Sequence, residues 1–285
     1  MSVITFVNNL DEETGKTMSL VAIATNMAIE YNSRILIIST TNKEDKIRNC
    51  YFEETQIKKN RKGIFGEVKE TIDTENGIEG IAKIARSNKL TPELITNYTR
   101  VVFKDRLEVI FGTEKKYDDN DLQERDIEEE YVGLINIASM YYDKVFVDLD
   151  NNIDENIRQQ IIDRSDLVIV NTSQNYNSLK KLKEEKEQSE LLNSPRSLIL
   201  IGRYDKYSKY NIKNITRFLE EKNKVLTIPY NTLYFEAVGE AGVPDLFLSL
   251  RKSIDSDDRN AIFIDEVKRA SENIVYRLQE LQARM

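Results

Sequence analysis

Histidine and tryptophan are absent from the 285 residues, and cysteine occurs once, as Cys50. Without imidazole there is no Ser-His-Asp triad, no histidine general base and no histidine-containing zinc site. A single thiol forms no intrachain disulfide, and a reducing, cytoplasmic setting is expected. Four prolines and ten glycines leave little material for linkers, so regular elements are expected nearly throughout. No apolar run reaches the length of a membrane span, and no basic-then-apolar leader precedes the first β-prone run; neither a transmembrane segment nor a secretory leader is expected. Basic residues are outnumbered, 41 Lys and Arg against 49 Asp and Glu. The net charge of -8 argues against a dedicated nucleic-acid binder, although a local basic patch is compatible with it. What is present, 40% hydrophobic and 32% charged residues, suits a soluble globular protein with one large core or two small ones.

Short apolar runs alternate with amphipathic segments. Val3 to Val7, Arg34 to Ser39, Lys144 to Asp150, Asp166 to Asn171, Ser197 to Gly202 and Val225 to Pro229 read as strands, several of them apolar without alternation. Such runs mark parallel strands covered on both faces. Val101 to Phe103 and Leu107 to Gly112, joined by Lys104-Asp105-Arg106, read as a strand pair. Between the strands lie helical patterns: Leu20 to Glu30, a segment opened by Gly77-Ile78-Glu79-Gly80, a Thr91-capped start with Pro92, and a stripe of Tyr131, Leu134, Ile135, Ala138 and Met140. Asn156 to Arg164, Tyr176 to Glu190, Ile212 to Glu221, Tyr234 to Ala241 and Leu246 to Arg251 continue the series. Phe65, Val68 and Ile72 suggest a further short helix, Thr40 to Arg48 a polar loop, and Glu114 to Glu130 a solvated acidic loop entering a helix. Ile262 to Met285 is a closing amphipathic helix with Val267, Ala270, Ile274, Leu278 and Leu281 on one stripe. The fold class is α/β: a mostly parallel, twisted β-sheet flanked by helices on both faces. We expect an α/β domain over residues 1–255 and a C-terminal helix over 256–285, packed on that domain or on a partner.

In such sheets, ligands gather at the C-terminal strand ends. After the first strand comes Thr14-Gly15-Lys16-Thr17, where a helix begins. Strand, loop, then a helix opened by Gly-Lys-Thr is the layout of a phosphate-binding P-loop. Unpaired backbone N–H groups at the helix start attract anions, Lys16 adds a point charge for outer phosphates, and the Thr17 hydroxyl is a Mg2+ ligand type. The motif departs from Gly, four residues, Gly-Lys-Thr, because Leu10 stands at the first glycine and Glu12 and Glu13 lie in the loop. The competing reading is an ordinary strand-to-helix turn, with Lys16 and Thr17 capping a helix and facing water. Asp148, at another strand end, reads from its position as a solvated strand-end acid or a helix cap, and Asp150 as the cap of the turn that follows.

Further segments extend the pattern: Arg34 to Ser39, Gly77 to Ile81, Leu107 to Gly112, Tyr142 to Asp148, Leu200 to Tyr204, Ile228-Pro229-Tyr230-Asn231, then Glu236-Ala237 and Gly239 to Gly242. In this order, over roughly residues 1–250, the chain resembles the ParA/MinD family of P-loop ATPases, particularly its MinD-like and pilus-assembly (CpaE/TadZ-like) branch. The resemblance implies a P-loop NTPase fold, ATP and Mg2+ as ligands, Gly15, Lys16, Thr17 and Asp148 as nucleotide-binding residues, and Thr17 and Asp148 at the metal. It also implies a homodimer or a partner protein of a positioning or secretion machine.

The same resemblance exposes a degenerate deviant Walker A motif. The family loop reads Lys-Gly-Gly-x-Gly-Lys-Thr, its first lysine reaching the partner's nucleotide. Here Asp11 stands at that lysine, and Glu12 and Glu13 at the two glycines. Ser39-Thr40-Thr41-Asn42 occupies the place of the water-orienting aspartate, with no acid until Glu44, and Gly202 stands at the adenine-reading asparagine. Phosphoryl transfer depends on positioning and charge neutralisation, so hydrolysis is expected to be absent or very slow, at most a weak ATPase, with no catalytic residue assigned. Two functions stay open: a nucleotide-binding switch of partition or positioning type, and a nucleotide-free scaffold or regulatory subunit of a secretion, pilus or conjugation system. Arg203, Lys206, Lys209 and Lys213 form a modest basic region. Family relatives bind DNA non-specifically through basic surfaces, but net acidity and the lack of a reader motif weigh against that here. The tyrosines Tyr204, Tyr207, Tyr210, Tyr230 and Tyr234 read as an interface or as partly exposed core edges. The closing helix is neither strongly basic nor rich in bulky aromatics, which argues against a membrane-targeting tail.

Overall fold

The computed structural model describes residues 1–9, 14–41, 46–53, 77–85, 90–113, 122–251 and 258–284, with backbone only at 122–126. In chain order the elements are β1 (Ser2–Asn8), α1 (Lys16–Glu30), β2 (Ile35–Ser39), α2 (Lys46–Tyr51), α3 (Ile78–Ala85), α4 (Pro92–Ile95), β3 (Arg100–Phe103) and β4 (Leu107–Ile110). They continue with α5 (Leu122–Ala138), β5 (Lys144–Asp148), α6 (Glu155–Arg164), β6 (Leu167–Thr172), α7 (Tyr176–Gln188), α8 (Glu190–Asn193) and β7 (Ser197–Tyr204). The last are α9 (Ile212–Phe218), β8 (Leu226–Pro229), α10 (Thr232–Gly239), α11 (Val243–Leu250) and α12 (Arg259–Gln282).

The strands form one eight-stranded sheet in the order β3-β4-β2-β5-β1-β6-β7-β8. Every neighbouring pair is parallel except the β3–β4 hairpin at one edge. The apolar runs dictate this arrangement. In β1, Ile4 and Phe6 enter one core while Val3 and Val7 enter the other, and neither face is left to solvent. Ile35 to Ile38 in β2 are wholly buried, divided between the two faces in the same way. Each such side chain contributes about 1.5–3 kcal/mol on burial. One face is covered by α1, α2, α10, α11 and α12, the other by α3, α5, α6, α7 and α9.

The chain runs from β1 out to β2 on one side, whereas β6 lies on the other side of β1. In open α/β sheets ligands bind at such a reversal, here at the C-terminal ends of β5, β1 and β6. The long α12 lies against α1 and β8, with Val267, Ala270, Ile274 and Leu278 turned inward.

Several expectations change. The polar stretch Thr40 to Arg48 is not loop to its end, because α2 begins at Lys46 and buries Ile47, Cys50 and Tyr51 at i, i+3 and i+4. Two turns inside a charged run give too short a pattern to read. Met140 leaves the stripe of α5: the helix stops at Ala138 and Met140 is 64% exposed. Thr91 starts α4 through its backbone, its carbonyl accepting from Leu94 N–H, and its side chain makes no cap. The helix suggested by Phe65, Val68 and Ile72 falls outside the described residues, as does the acidic stretch at 114–121.

Candidate phosphate-binding site

Strand parity builds the floor of the site. Side chains two apart share a face. Phe6, Ile37, Phe146, Ile169 and Leu200 all lie in the core beneath α1. Two residues further on, the same rows end in Asn8, Ser39, Asp148, Asn171 and Gly202. The register sets Asp148 between Phe6 and Ser39, and Asn171 beside Asn8. Apolar rows thus end in a polar edge at the start of α1.

Gly15 enters α1 in the left-handed region, at φ 80°, where a side chain is strained. It offers no side-chain cap, and the first turn carries no acid, so the helix start retains its attraction for anions. Lys16, 8% exposed, turns back into the protein. Its Nζ is 2.9 Å from Asp148 Oδ1, an electrostatic contact without hydrogen-bond alignment, and it donates a hydrogen bond to the Leu149 carbonyl. Thr17 Oγ1 donates to Asp148 Oδ2 at 2.7 Å. Lys16, Thr17 and Asp148 therefore meet, and Gly15 shapes the turn that carries them. Lys16 does not face water. A carboxylate 7% exposed needs such partners, because an isolated buried charge is strongly disfavoured.

A second layer was not legible in the sequence. The Thr40 hydroxyl donates to the Asp148 carbonyl at 3.2 Å and accepts from Asp150 N–H at 2.9 Å, tying the end of β2 to the end of β5. Asp150 Oδ1 accepts from the Asn152 backbone and side-chain amides, each at 2.9 Å, and so caps the turn. Partial burial would raise its pKa, but these bonds, the nearby Lys16 charge and Thr41 outweigh burial and hold its carboxyl below the usual range. The Thr14 hydroxyl donates to Asn8 Oδ1. Asn171 is fully buried, and its side-chain amide finds no hydrogen-bond partner among the described residues. Polar ends of buried strands are the signal that marks Asn8 and Asn171. Nothing in sequence marks the Leu149 carbonyl.

Gly202 serves a purpose of its own. A Cβ there would stand 2.2 Å from the Thr14 carbonyl oxygen, so β7 passes the Thr14 backbone with no room for a side chain. No asparagine fits at this position without moving the loop. The chain then turns through Arg203, at φ 52°, whose side-chain stem lies 3.5 Å from where a Gly15 Cβ would be. Arg203 is thus a cation at the rim of the site. Asp11, Glu12, Glu13, Asn42 and Glu44 lie outside the described residues. Among the described residues, the end of β2 carries no carboxylate, and no group of three metal-ligating side chains forms. Mg2+ sites of one or two carboxylates completed by phosphates need no such group. The ammonium, hydroxyl, carboxylate and open helix start fit a magnesium nucleotide in donor chemistry.

No protein-family model matches the sequence, and no curated protein matches it significantly. Solved structures do. A ParA family ATPase from Chlorobium tepidum TLS superposes with a TM-score of 0.67 at 16% identity, over 94% of this chain and 98% of that one. A putative plasmid partition protein from Borrelia burgdorferi B31, bound to AMPPNP, gives 0.61 at 17% identity over 98% of each chain. The septum site-determining protein MinD of Pyrococcus horikoshii OT3, complexed with Mg-ADP, gives 0.61 at 12% identity over 96% and 97%. Over nearly its whole length this chain has the fold of these ParA/MinD-like P-loop ATPase structures.

Proposed function

We propose that this protein is a nucleotide-binding switch of the positioning or partition type in which ATP hydrolysis is lost or very slow. The observation that carries the reading is the convergence of Lys16, Thr17 and Asp148 at the uncapped start of α1. Lys16 and the first N–H groups of α1 would hold phosphate, and Thr17 and Asp148 would hold Mg2+, which when bound neutralises phosphate charge. The partition protein bound to AMPPNP and the MinD complexed with Mg-ADP share the fold and support the ligand class. Loss of hydrolysis is supported by the sequence, with Asp11 in place of the trans-acting lysine and no acid at the end of β2. Assembly as a homodimer or with a partner protein belongs to the same reading. A CpaE/TadZ-like assignment within the family rests on the sequence resemblance.

A second reading has its own support. Lys16, Thr17 and Asp148 complete one another without any ligand, as a scaffold that keeps the fold and binds no nucleotide would require. Calorimetric titration with ATP and Mg2+ decides between the two. Stoichiometric binding that disappears in a folded Lys16→Ala variant, together with a nucleotide-dependent shift in sedimentation, supports the switch. No heat at millimolar nucleotide rejects it in favour of the scaffold. Turnover abolished by Lys16→Ala would overturn the claim of lost hydrolysis.

A further inference from the structure

The turn between β7 and α9 carries Lys206, Tyr207, Lys209 and Tyr210, and Lys213 follows in the first turn of α9. It is tied down from beneath. Gln174, just past β6, accepts from Asp205 N–H and donates to the Asp205 and Tyr210 carbonyls, each at 2.8 Å. Asn214 donates to the Lys209 carbonyl at 2.8 Å. The Lys206 ammonium lies over the Tyr207 ring at 5.2 Å and that of Lys209 over Tyr210 at 5.0 Å, while Tyr176 stacks on Tyr210 at 6.3 Å. Lys206, Lys209 and Lys213 are exposed and form no salt bridge among the described residues. The one carboxylate of the turn, Asp205, accepts from Tyr207 N–H at 2.9 Å. We propose that this turn is a docking site for an acidic segment of a partner protein, whose carboxylates are taken by Lys206, Lys209 and Lys213 and whose chain lies along Tyr207. Docking there needs no nucleotide and stands whether or not the phosphate site is filled.

Charge complementarity selects the partner. Clustered cations without carboxylates set up a local positive potential on a chain of net charge -8, and an acidic segment supplies the missing partners. The rings decide between a peptide and a nucleic acid. Single strands bind by stacking bases on open aromatic faces. Here lysines lie over Tyr207 and Tyr210, and Tyr176 takes a further part of Tyr210, so little ring face is left for bases. Strong duplex binders neutralise on the order of six to ten phosphates, more than this turn has cations to meet. A short acidic segment needs only the few that are present. Because Gln174 and Asn214 already fix the turn, docking orders little of this chain, which limits its entropic cost.

The test is fluorescence anisotropy of the full chain at physiological salt with a labelled peptide of repeated Glu-Glu-Tyr, beside the matching Gln-Gln-Tyr peptide, oligo-dT and a short DNA duplex. The acidic peptide should bind and the neutral one should not. Lys206→Glu combined with Lys209→Glu should weaken the acidic peptide about tenfold or more, since two ion pairs become repulsions. Tyr207→Ala, which removes the ring under Lys206, should weaken it about threefold. Lys222→Glu combined with Lys224→Glu makes the same change of charge on exposed residues beyond α9 and should leave affinity within about twofold. Equal urea midpoints for all variants establish that they fold. Failure of the acidic peptide to bind overturns the proposal, as does equal binding of the neutral peptide or equal loss in the two double variants. Tighter binding of either DNA than of the acidic peptide also overturns it and assigns the turn to nucleic acid.

Discussion

Lys16 and Asp148 are a buried ion pair whose two halves depend on each other. Removing one half leaves the other charged and unpaired, which costs about 3–5 kcal/mol when burial is complete. Lys16→Ala is therefore expected to destabilise the protein by about 3 kcal/mol, measured by urea unfolding, and, on the proposed function, to remove phosphate binding. Asp150 behaves differently. Its depressed folded pKa means that its bonds stabilise the fold above the ordinary carboxylate value of about 4, and that this contribution disappears as pH falls through the lower folded value. Asp150→Asn should reduce the loss of stability below about pH 4 and leave the slope above pH 6 unchanged, read from urea midpoints across pH. Gly202 is a third sensitive residue. A methyl group 2.2 Å from the Thr14 carbonyl oxygen must push β7 or the Thr14 backbone aside, so Gly202→Ala should cost about 1–3 kcal/mol in urea unfolding.

Among elements, α12 and α10 hold α1 in register with the strand ends. Tyr234 of α10 is buried against Phe247 and Phe263, with ring centroids at 6.0 and 4.9 Å, and donates to the Met18 carbonyl at 2.6 Å in the first turn of α1. Burial, followed by the neighbouring Cys50 and Tyr51, raises the Tyr234 pKa and keeps the phenol protonated as a donor. In α12, Asn26 of α1 donates to Ser271 at 3.1 Å, and Ile274 is wholly buried while Tyr276 is 62% exposed. Ile274→Ala should therefore lower stability by about 2–5 kcal/mol. Tyr276→Ala should stay within about 0.5 kcal/mol, so chemical denaturation of the pair reports which face of the helix is docked.

At the scale of the whole molecule, charge is distributed unevenly. A chain of net charge -8 exposes Arg203 at the end of β7, Lys206 and Lys209 on the turn that follows, and Lys213 at the start of α9. The ammonium groups of Lys206 and Lys209 lie over the rings of Tyr207 and Tyr210, at 5.2 and 5.0 Å from the centroids. Tyr207 is 85% exposed, whereas Tyr234 is core, so the tyrosines do not form one surface. If duplex DNA binds here, at most four cations take part, and the logarithmic salt dependence should be no steeper than about 3.6. Fluorescence anisotropy from low to physiological salt should show binding vanish, and a steeper slope would point to a larger basic surface. No described helix is long and apolar enough to cross a membrane.

The α/β class, the eight strands, most of the helices and the strand-to-helix turn at Gly-Lys-Thr were legible in the residues because burial on two faces leaves continuous apolar runs such as Ile35 to Ile38, and because Gly-Lys-Thr begins a helix after one of them. Local pattern carries such information, since strand and helix periods depend on neighbours in sequence. It fails where the partner is distant. That Lys16 turns inward to a carboxylate 132 positions away, near the 131-residue separation of the Thr17–Asp148 bond, follows from the parallel register of β1 with β5. The same holds for Thr40 bridging β2 and β5, and for Gly202, whose lack of a side chain matters only because the Thr14 backbone passes above it. Chain chemistry supplied the ammonium, hydroxyl and carboxylate, while strand pairing and the placement of α1 over the sheet brought them within bonding distance of one another.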